Sequence, residues 1–160
     1  MIRIQIIDDD FWCAEAIKAM LMDIDPGIVF EYSEEPSPVD GCDIYIIDNE
    51  FGNKDHAESI VGEVRKNNPE AMIMVCSGTM DRIQYKNVIN AGCDIAVEKG
   101  NTADRETMMV AIGRQVLASR SSSRKISLVH VIKDICSIIS NWNTRLESID
   151  EKKSMRAEIA

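Results

Sequence analysis

Four apolar runs in this chain stop on a charged or hydroxyl residue. Residues 2–7 alternate and then turn wholly apolar before Asp8-Asp9-Asp10. Tyr45-Ile46-Ile47 leads into Asp48, Val75-Cys76 into Ser77, and Val97 into Glu98-Lys99. Continuous Ile/Val runs of this length are the pattern of strands buried on both faces. Residues 28–32, 43–47, 71–76 and 95–97 complete a set of five predicted strands with residues 2–7.

Helical spacing fills the gaps. Ala14, Ile17 and Leu21, with Ala16 and Met20 beside them, predict a helix over 11–23, capped by Asp10 and broken by Pro26-Gly27. Ala57, Ile60, Val61 and Val64 predict a second helix that stops before Asn68-Pro69, because the residue preceding proline avoids the helical region. Ile83, Val88 and Ile89 mark another, ended by Gly92. Residues 107–117 mark the last of this region. Residues 34–41 hold Pro36, Pro38 and Gly41 and are too short for a normal crossover helix. Strand and helix alternating at this rhythm predict an α/β fold: a doubly wound, five-stranded parallel sheet with a shortened second helix.

A polar joint at 121–125 separates residues 1–120 from a different pattern. Leu128, Ile132, Ile135, Ile139, Trp142, Leu146 and Ile149 recur at alternating four- and three-residue steps, which predicts an amphipathic heptad helix over 126–150, with a frayed tail over 151–160. Val129, Val131, Cys136 and Ile138 widen its stripe. The seam has two readings: a homodimer contact through 126–149, or an added helix packed on its own domain. His130 falls off the seam and reads as a surface histidine rather than a phosphotransfer group.

Composition narrows the class. At 45% apolar and 28% charged residues the chain is globular in type rather than disordered. A net charge of −9 opposes nonspecific nucleic-acid binding, which needs a basic face. No apolar run is long enough to span a bilayer, and residues 1–4 enter a strand pattern without a signal peptide, so a cytoplasmic protein is expected. Cys13, Cys42, Cys76, Cys93 and Cys136 sit singly, so reduced and mostly buried thiols are expected rather than zinc ligands or disulfides. Met72, Met74, Met108 and Met109 read as core filler. Phe11 and Trp12 read as wall residues of the pocket.

In a parallel sheet the carboxyl ends of the strands line one crevice. There Asp8, Asp9, Asp48, Ser77 and Lys99 would converge. Crowded carboxylates repel one another unless a cation sits among them, and hard oxygen donors suit Mg2+ or Mn2+. Asp48 can then accept a phosphoryl group as an acyl phosphate, with Ser77 and Lys99 meeting the phosphoryl oxygens.

These residues, in this order and each at a strand end, resemble the receiver domains of bacterial two-component response regulators (CheY-like). The resemblance covers about residues 1–120, and Ala91-Gly92-Cys93-Asp94 matches the family's turn before its fifth strand. It implies a flavodoxin-like strand order 2-1-3-4-5, a metal site at Asp8, Asp9, Asp48 and the backbone carbonyl of Glu50, phosphorylation of Asp48, and phosphoryl contacts from Ser77 and Lys99. A sensor histidine kinase or phosphotransfer protein is the implied partner. Four departures stand out. Ala96 occupies the position of the usual switch aromatic, Gly100 that of the usual proline after the lysine, Asp48 is followed by Asn49-Glu50-Phe51-Gly52 without proline, and the second crossover is short. The implied function is a phosphorylation-dependent switch, not a classical enzyme, with output by protein contact. The alternative is a non-switching interaction module that acts through the C-terminal helix. A haloacid-dehalogenase-like phosphohydrolase shares the Asp nucleophile and Mg2+, but its cap and later acidic pair are not recognisable in the sequence.

Overall fold

The computed structural model describes residues 1–52, 54–55 and 57–121. The 126–150 heptad segment, His130, Cys136 and Trp142 lie outside the described residues. The elements run β1 (Arg3–Ile7), α1 (Phe11–Ile24), β2 (Val29–Ser33), β3 (Ile44–Ile47), β4 (Glu50–Phe51), β5 (Lys54–Asp55), α2 (Ala57–Asn67), β6 (Met72–Ser77), α3 (Arg82–Ala91), β7 (Ile95–Glu98) and α4 (Thr102–Ser121). The main sheet has the order β2-β1-β3-β6-β7, all parallel. Counting only its five strands, this is the expected order 2-1-3-4-5.

The apolar runs form the central strands because both faces are covered. Ile4, Ile6, Ile7, Ile44, Ile46, Ile47, Ile73, Met74 and Val75 are all buried. Successive side chains on a strand point to opposite faces. Ile7, Tyr45, Ile47, Ile73 and Val75 pack with Ala57, Ile60, Val61 and Val64 of α2 and with Val88 of α3. Ile4, Ile6, Ile44, Ile46 and Met74 therefore face the other layer, where Ala14, Ile17 and Leu21 of α1 and Met108, Ile112 and Val116 of α4 are buried. Each fully buried isoleucine contributes about 2 kcal/mol.

The termini of the helices follow their capping residues. Asp10 accepts the Trp12 and Cys13 amides at the start of α1. Asp81 and Gln84 form a reciprocal capping box on α3, and Gly92 ends that helix in the left-handed region at φ 108°. The last helix begins at Thr102, five residues before the expected position of 107. Asn101 Oδ1 caps it by accepting the Ala103 and Asp104 amides.

The crossover from β2 to β3 contains no helix at all, which corrects the expectation of a shortened one. Pro36 and Pro38 lack amide hydrogens, and two strand side chains hold the loop instead. Fully buried Gln5 donates to the Ser37 carbonyl at 3.1 Å and accepts the Val39 amide at 2.7 Å. Buried Tyr45 donates its hydroxyl to the Val39 carbonyl at 2.6 Å. The polar groups that a helix would have satisfied internally thus find partners on the sheet.

A two-stranded antiparallel hairpin, β4–β5, follows Asp48, with Phe51 opposite Lys54. Gly52 in its turn has φ +54°, a backbone conformation that glycine adopts at little cost.

Candidate functional site

The register of the sheet assembles the site. Ile7 lies opposite Ile47, and Ile47 opposite Val75, so Asp8 and Asp48 are the first residues beyond matched strand positions. Backbone bonds extend the ladder past the strand ends: Asp48 N–H donates to Ile7 O, Asp8 N–H to Ser33 O, and Lys99 N–H to Ser77 O.

The three consecutive acids divide their work. Asp10 turns away to cap α1. Asp8 is buried, with one oxygen accepting the Asp10 amide at 3.0 Å and the other accepting from Lys99 Nζ at 2.7 Å. Asp9 is exposed on the rim, and its carboxylate accepts the Gly52 amide at 3.0 Å. The hairpin after Asp48 therefore holds the acid that follows β1.

Asp48 is buried, pairs with Lys99 Nζ at 3.0 Å and accepts the Glu50 amide at 3.2 Å. One carboxylate oxygen each from Asp8, Asp9 and Asp48 lies within 4.8 Å of the others. Asp9, Asp48, Glu50 and Gly52 line an open recess of about 260 Å³.

Lys99 is the only cation in contact with this cluster among the described residues, and it bridges both buried acids. Burial alone would lower its pKa, but hydrogen bonds to Asp8 and Asp48 outweigh that, and the ammonium is held above the ordinary lysine value. Asp8 moves the other way from a simple ion pair. Its burial raises the carboxyl above its usual range, and Lys99 offsets this only in part. Lys99 has two acids to hold its charge, whereas Asp8 has one ammonium and faces the like charge of Asp48, which pushes its carboxyl further up.

The donor set fits a hard divalent cation. It offers carboxylate oxygens from three residues, surplus negative charge, and an opening to solvent at Asp9. Asp8, Asp9 and Asp48 are the residues that would hold it.

Ser77 ends β6, buried, with its hydroxyl donating to the Thr79 carbonyl at 3.1 Å. Glu50 contributes its amide to Asp48 and lines the recess, with its side chain exposed. Ala96 lies apart from the acids. With Met80, Tyr85, Val97, Glu98, Asn101 and Asp104 it lines a second recess of about 230 Å³ between α3, β7 and α4. The Lys99–Gly100 turn is formed without a cis peptide.

Sequence reasoning missed two features. The Gly52–Asp9 bond was one, although Gly52-Asn53 between Phe51 and Lys54 is a readable hairpin turn. The other is the placing of Phe11 and Trp12. They are not walls of the pocket but are exposed, at 45% and 78%.

No family model matches the sequence, and no curated protein matches it. Solved structures do. A CheY-like response regulator receiver domain protein from Methanospirillum hungatei superposes with a TM-score of 0.62 at 16% identity, covering 78% of this chain and 99% of that one. A two-component response regulator from Clostridium difficile gives 0.60 at 16% identity, covering 72% and 97%. A response regulator from Burkholderia pseudomallei, solved with a phosphorylated aspartic acid, a calcium ion and citrate, gives 0.58 at 18% identity, covering 80% and 78%. With the strand order and the crevice at the strand ends, these likenesses make one conclusion plain: the chain has the fold of the response regulator receiver domains.

Proposed function

We propose that this protein is a phosphorylation-dependent signalling switch. Asp48 is the phosphoacceptor, and Asp8, Asp9, Asp48 and the Glu50 carbonyl form an Mg2+ or Mn2+ site. The observation that supports this most is the single ammonium of Lys99 shared between Asp8 and Asp48, with Asp9 open to solvent beside them. One lysine leaves the three carboxylates undercompensated, so the pocket favours an added cation.

The bound cation would supply charge neutralisation to the incoming phosphoryl group. An Asp48 carboxylate oxygen attacks phosphorus, a carboxyl O–P bond forms, and the bond from phosphorus to the donor breaks, with the electron pair leaving on the donor. Lys99 pairs with one phosphoryl oxygen. Ser77 turns its hydroxyl from the Thr79 carbonyl to another. The donor is a sensor histidine kinase, a phosphotransfer protein or a small acyl phosphate. The output is a protein contact, through the 126–149 segment or through the face formed by α3, β7 and α4.

A second reading, an interaction module that does not switch, is favoured by Ala96, which puts no ring on β7 to report the state of the site. One experiment separates the two. The protein is incubated with Mg2+ and acetyl phosphate and its intact mass recorded beside Asp48→Ala. Gain of one phosphoryl group by the wild type alone is expected. No gain in either would replace the switch with the interaction module.

A further inference from the structure

The hairpin that follows Asp48 lends its backbone to the acids of the pocket. Phe51 is buried in the core with Ile7, Ile47, Ala57 and Ile60, which anchors β4 beside the strand ends. Glu50 lies opposite Asp55, and Phe51 opposite Lys54. The amides of Glu50 and Gly52, two residues apart, both donate to acids of the pocket. Glu50 N–H reaches Asp48 Oδ2 at 3.2 Å, and Gly52 N–H reaches Asp9 Oδ2 at 3.0 Å across 43 residues of sequence.

Asp9 is the exposed member of the three acids whose carboxylate oxygens meet within 4.8 Å. An exposed side chain samples several rotamers, and ordering it costs entropy. Asp8 and Asp48 are already held through both oxygens, Asp8 by the Asp10 amide and Lys99, Asp48 by the Glu50 amide and Lys99. For Asp9 the bond from Gly52 does this work, and partners of this kind orient the groups that meet a metal.

We propose that Gly52 is the positioning residue for Asp9. Its amide holds one carboxylate oxygen toward the hairpin, the other meets the cation, and the site thereby favours Mg2+ over Ca2+. This role rests on the metal site proposed at Asp8, Asp9 and Asp48.

The needs of the two cations decide the preference. Ca2+ takes more oxygens in looser geometry, often both oxygens of one carboxylate. Mg2+ demands a near-ideal octahedron at shorter distances and keeps several waters. A carboxylate fixed through one oxygen suits the second cation and restrains the first from taking both.

The backbone at Gly52 makes the role separable from packing. Its φ of +54° lies in the left-handed region, and a Cβ there would meet nothing within 4 Å. A side chain at this position therefore acts through backbone conformation alone. Valine is driven out of that conformation, whereas asparagine adopts it.

The test is calorimetric titration of the full chain with Mg2+ and with Ca2+, beside melting curves in chelator that report folding. Gly52→Val is expected to weaken Mg2+ about fivefold, less than loss of the Asp9 carboxylate itself, and Ca2+ by less than about twofold. Gly52→Asn is expected to recover most of the wild-type preference. Added to Asp9→Asn, Gly52→Val is expected to change Mg2+ affinity by less than about twofold, because the group it positions no longer carries charge. If Gly52→Val melts far below the wild type, Gly52→Ala carries the same comparison with less backbone strain. Equal loss of Mg2+ and Ca2+, an undiminished loss in the Asp9→Asn background, or no loss of Mg2+ at all would overturn the role of Gly52 and leave the metal site standing. Absence of saturable Mg2+ binding by the wild type would remove the metal site, and the role of Gly52 with it.

Discussion

The two ends of the sheet treat charge in opposite ways. At the amino ends of β6 and β7, Arg65 reaches the Gly92, Pro69 and Ala71 carbonyls and the Asp94 carboxylate, all at 2.6–3.1 Å. Asp94 in turn accepts the Ile73 amide at 2.7 Å. One cation meets one acid, and the remaining donors close off backbone carbonyls of the turns. At the carboxyl ends, one ammonium faces three carboxylates, and one of those acids is buried enough for its pKa to rise. The first arrangement is complete in itself and holds the turns in place. The second lacks positive charge, and that lack favours an added cation.

The sharpest way to break this contrast is to remove the ammonium. Lys99→Met leaves Asp8 and Asp48 facing each other without a cation, and the protein should lose about 3 kcal/mol of stability in chelator. That corresponds to a melting temperature lower by roughly 10 °C. Added Mg2+ should restore most of it, because the metal replaces the missing charge. A melting curve in chelator and in Mg2+ decides; equal curves for wild type and variant would mean that the pocket charges are not coupled.

At the other end, Arg65→Ala should cost about 2 kcal/mol, as several part-buried carbonyls and Asp94 lose their donors. Here Mg2+ should not compensate, and its affinity should stay at the wild-type value. Denaturant unfolding with and without Mg2+ measures both. A smaller effect comes from Asp9→Asn. The residue is exposed and held by the Gly52 amide, so unfolding stability should change by less than about 0.5 kcal/mol. Mg2+ binding should weaken about tenfold, the equivalent of roughly 1.4 kcal/mol.

The two ends also differ at their thiols. Cys13 beside the acidic pocket is half-buried, and burial together with its hydrogen bond to Asp10 pushes its pKa up to about 11. Buried Cys93, next to Asp94, donates to the Ile95 carbonyl at 2.9 Å and is pushed up to about 11 by burial. Only the thiolate reacts, and below its pKa the thiolate fraction grows about tenfold per pH unit. Iodoacetamide labelling of Cys13 should therefore be slow at pH 7 and rise about tenfold for each unit up to pH 9. Cys93 should stay unlabelled until the protein unfolds. Peptide mapping distinguishes them, and fast labelling of Cys13 at neutral pH would contradict its pairing with Asp10.

The chain announces this architecture through the residues that punctuate it. Apolar runs that stop on Asp8, Asp48, Ser77 and Lys99 are legible because a strand buried on both faces is almost wholly apolar until it leaves the sheet. Gly92 and Asp10 mark helix ends because only particular residues suit those backbone positions. What was not legible depended on contacts between distant segments. The helix-free crossover is held by Gln5 and Tyr45, two side chains that look like ordinary strand residues in the sequence. The start of α4 was placed late because Thr102–Glu106 are mostly polar and exposed or half-exposed, although Asn101 offered a cap. The exposure of Trp12 could not be read at all, since apolar residues on a helix say which faces are apolar but not which of them is covered.

The account rests on the surplus of carboxylates over cations at the carboxyl end of the sheet. Calorimetric titration with Mg2+ tests it most directly, on the wild type beside Arg65→Ala and Asp48→Asn. One saturable Mg2+ per chain in the wild type, unchanged in Arg65→Ala and lost in Asp48→Asn, is the predicted result. No saturable binding at concentrations that fill ordinary carboxylate sites, or binding that survives Asp48→Asn at full strength, would contradict it.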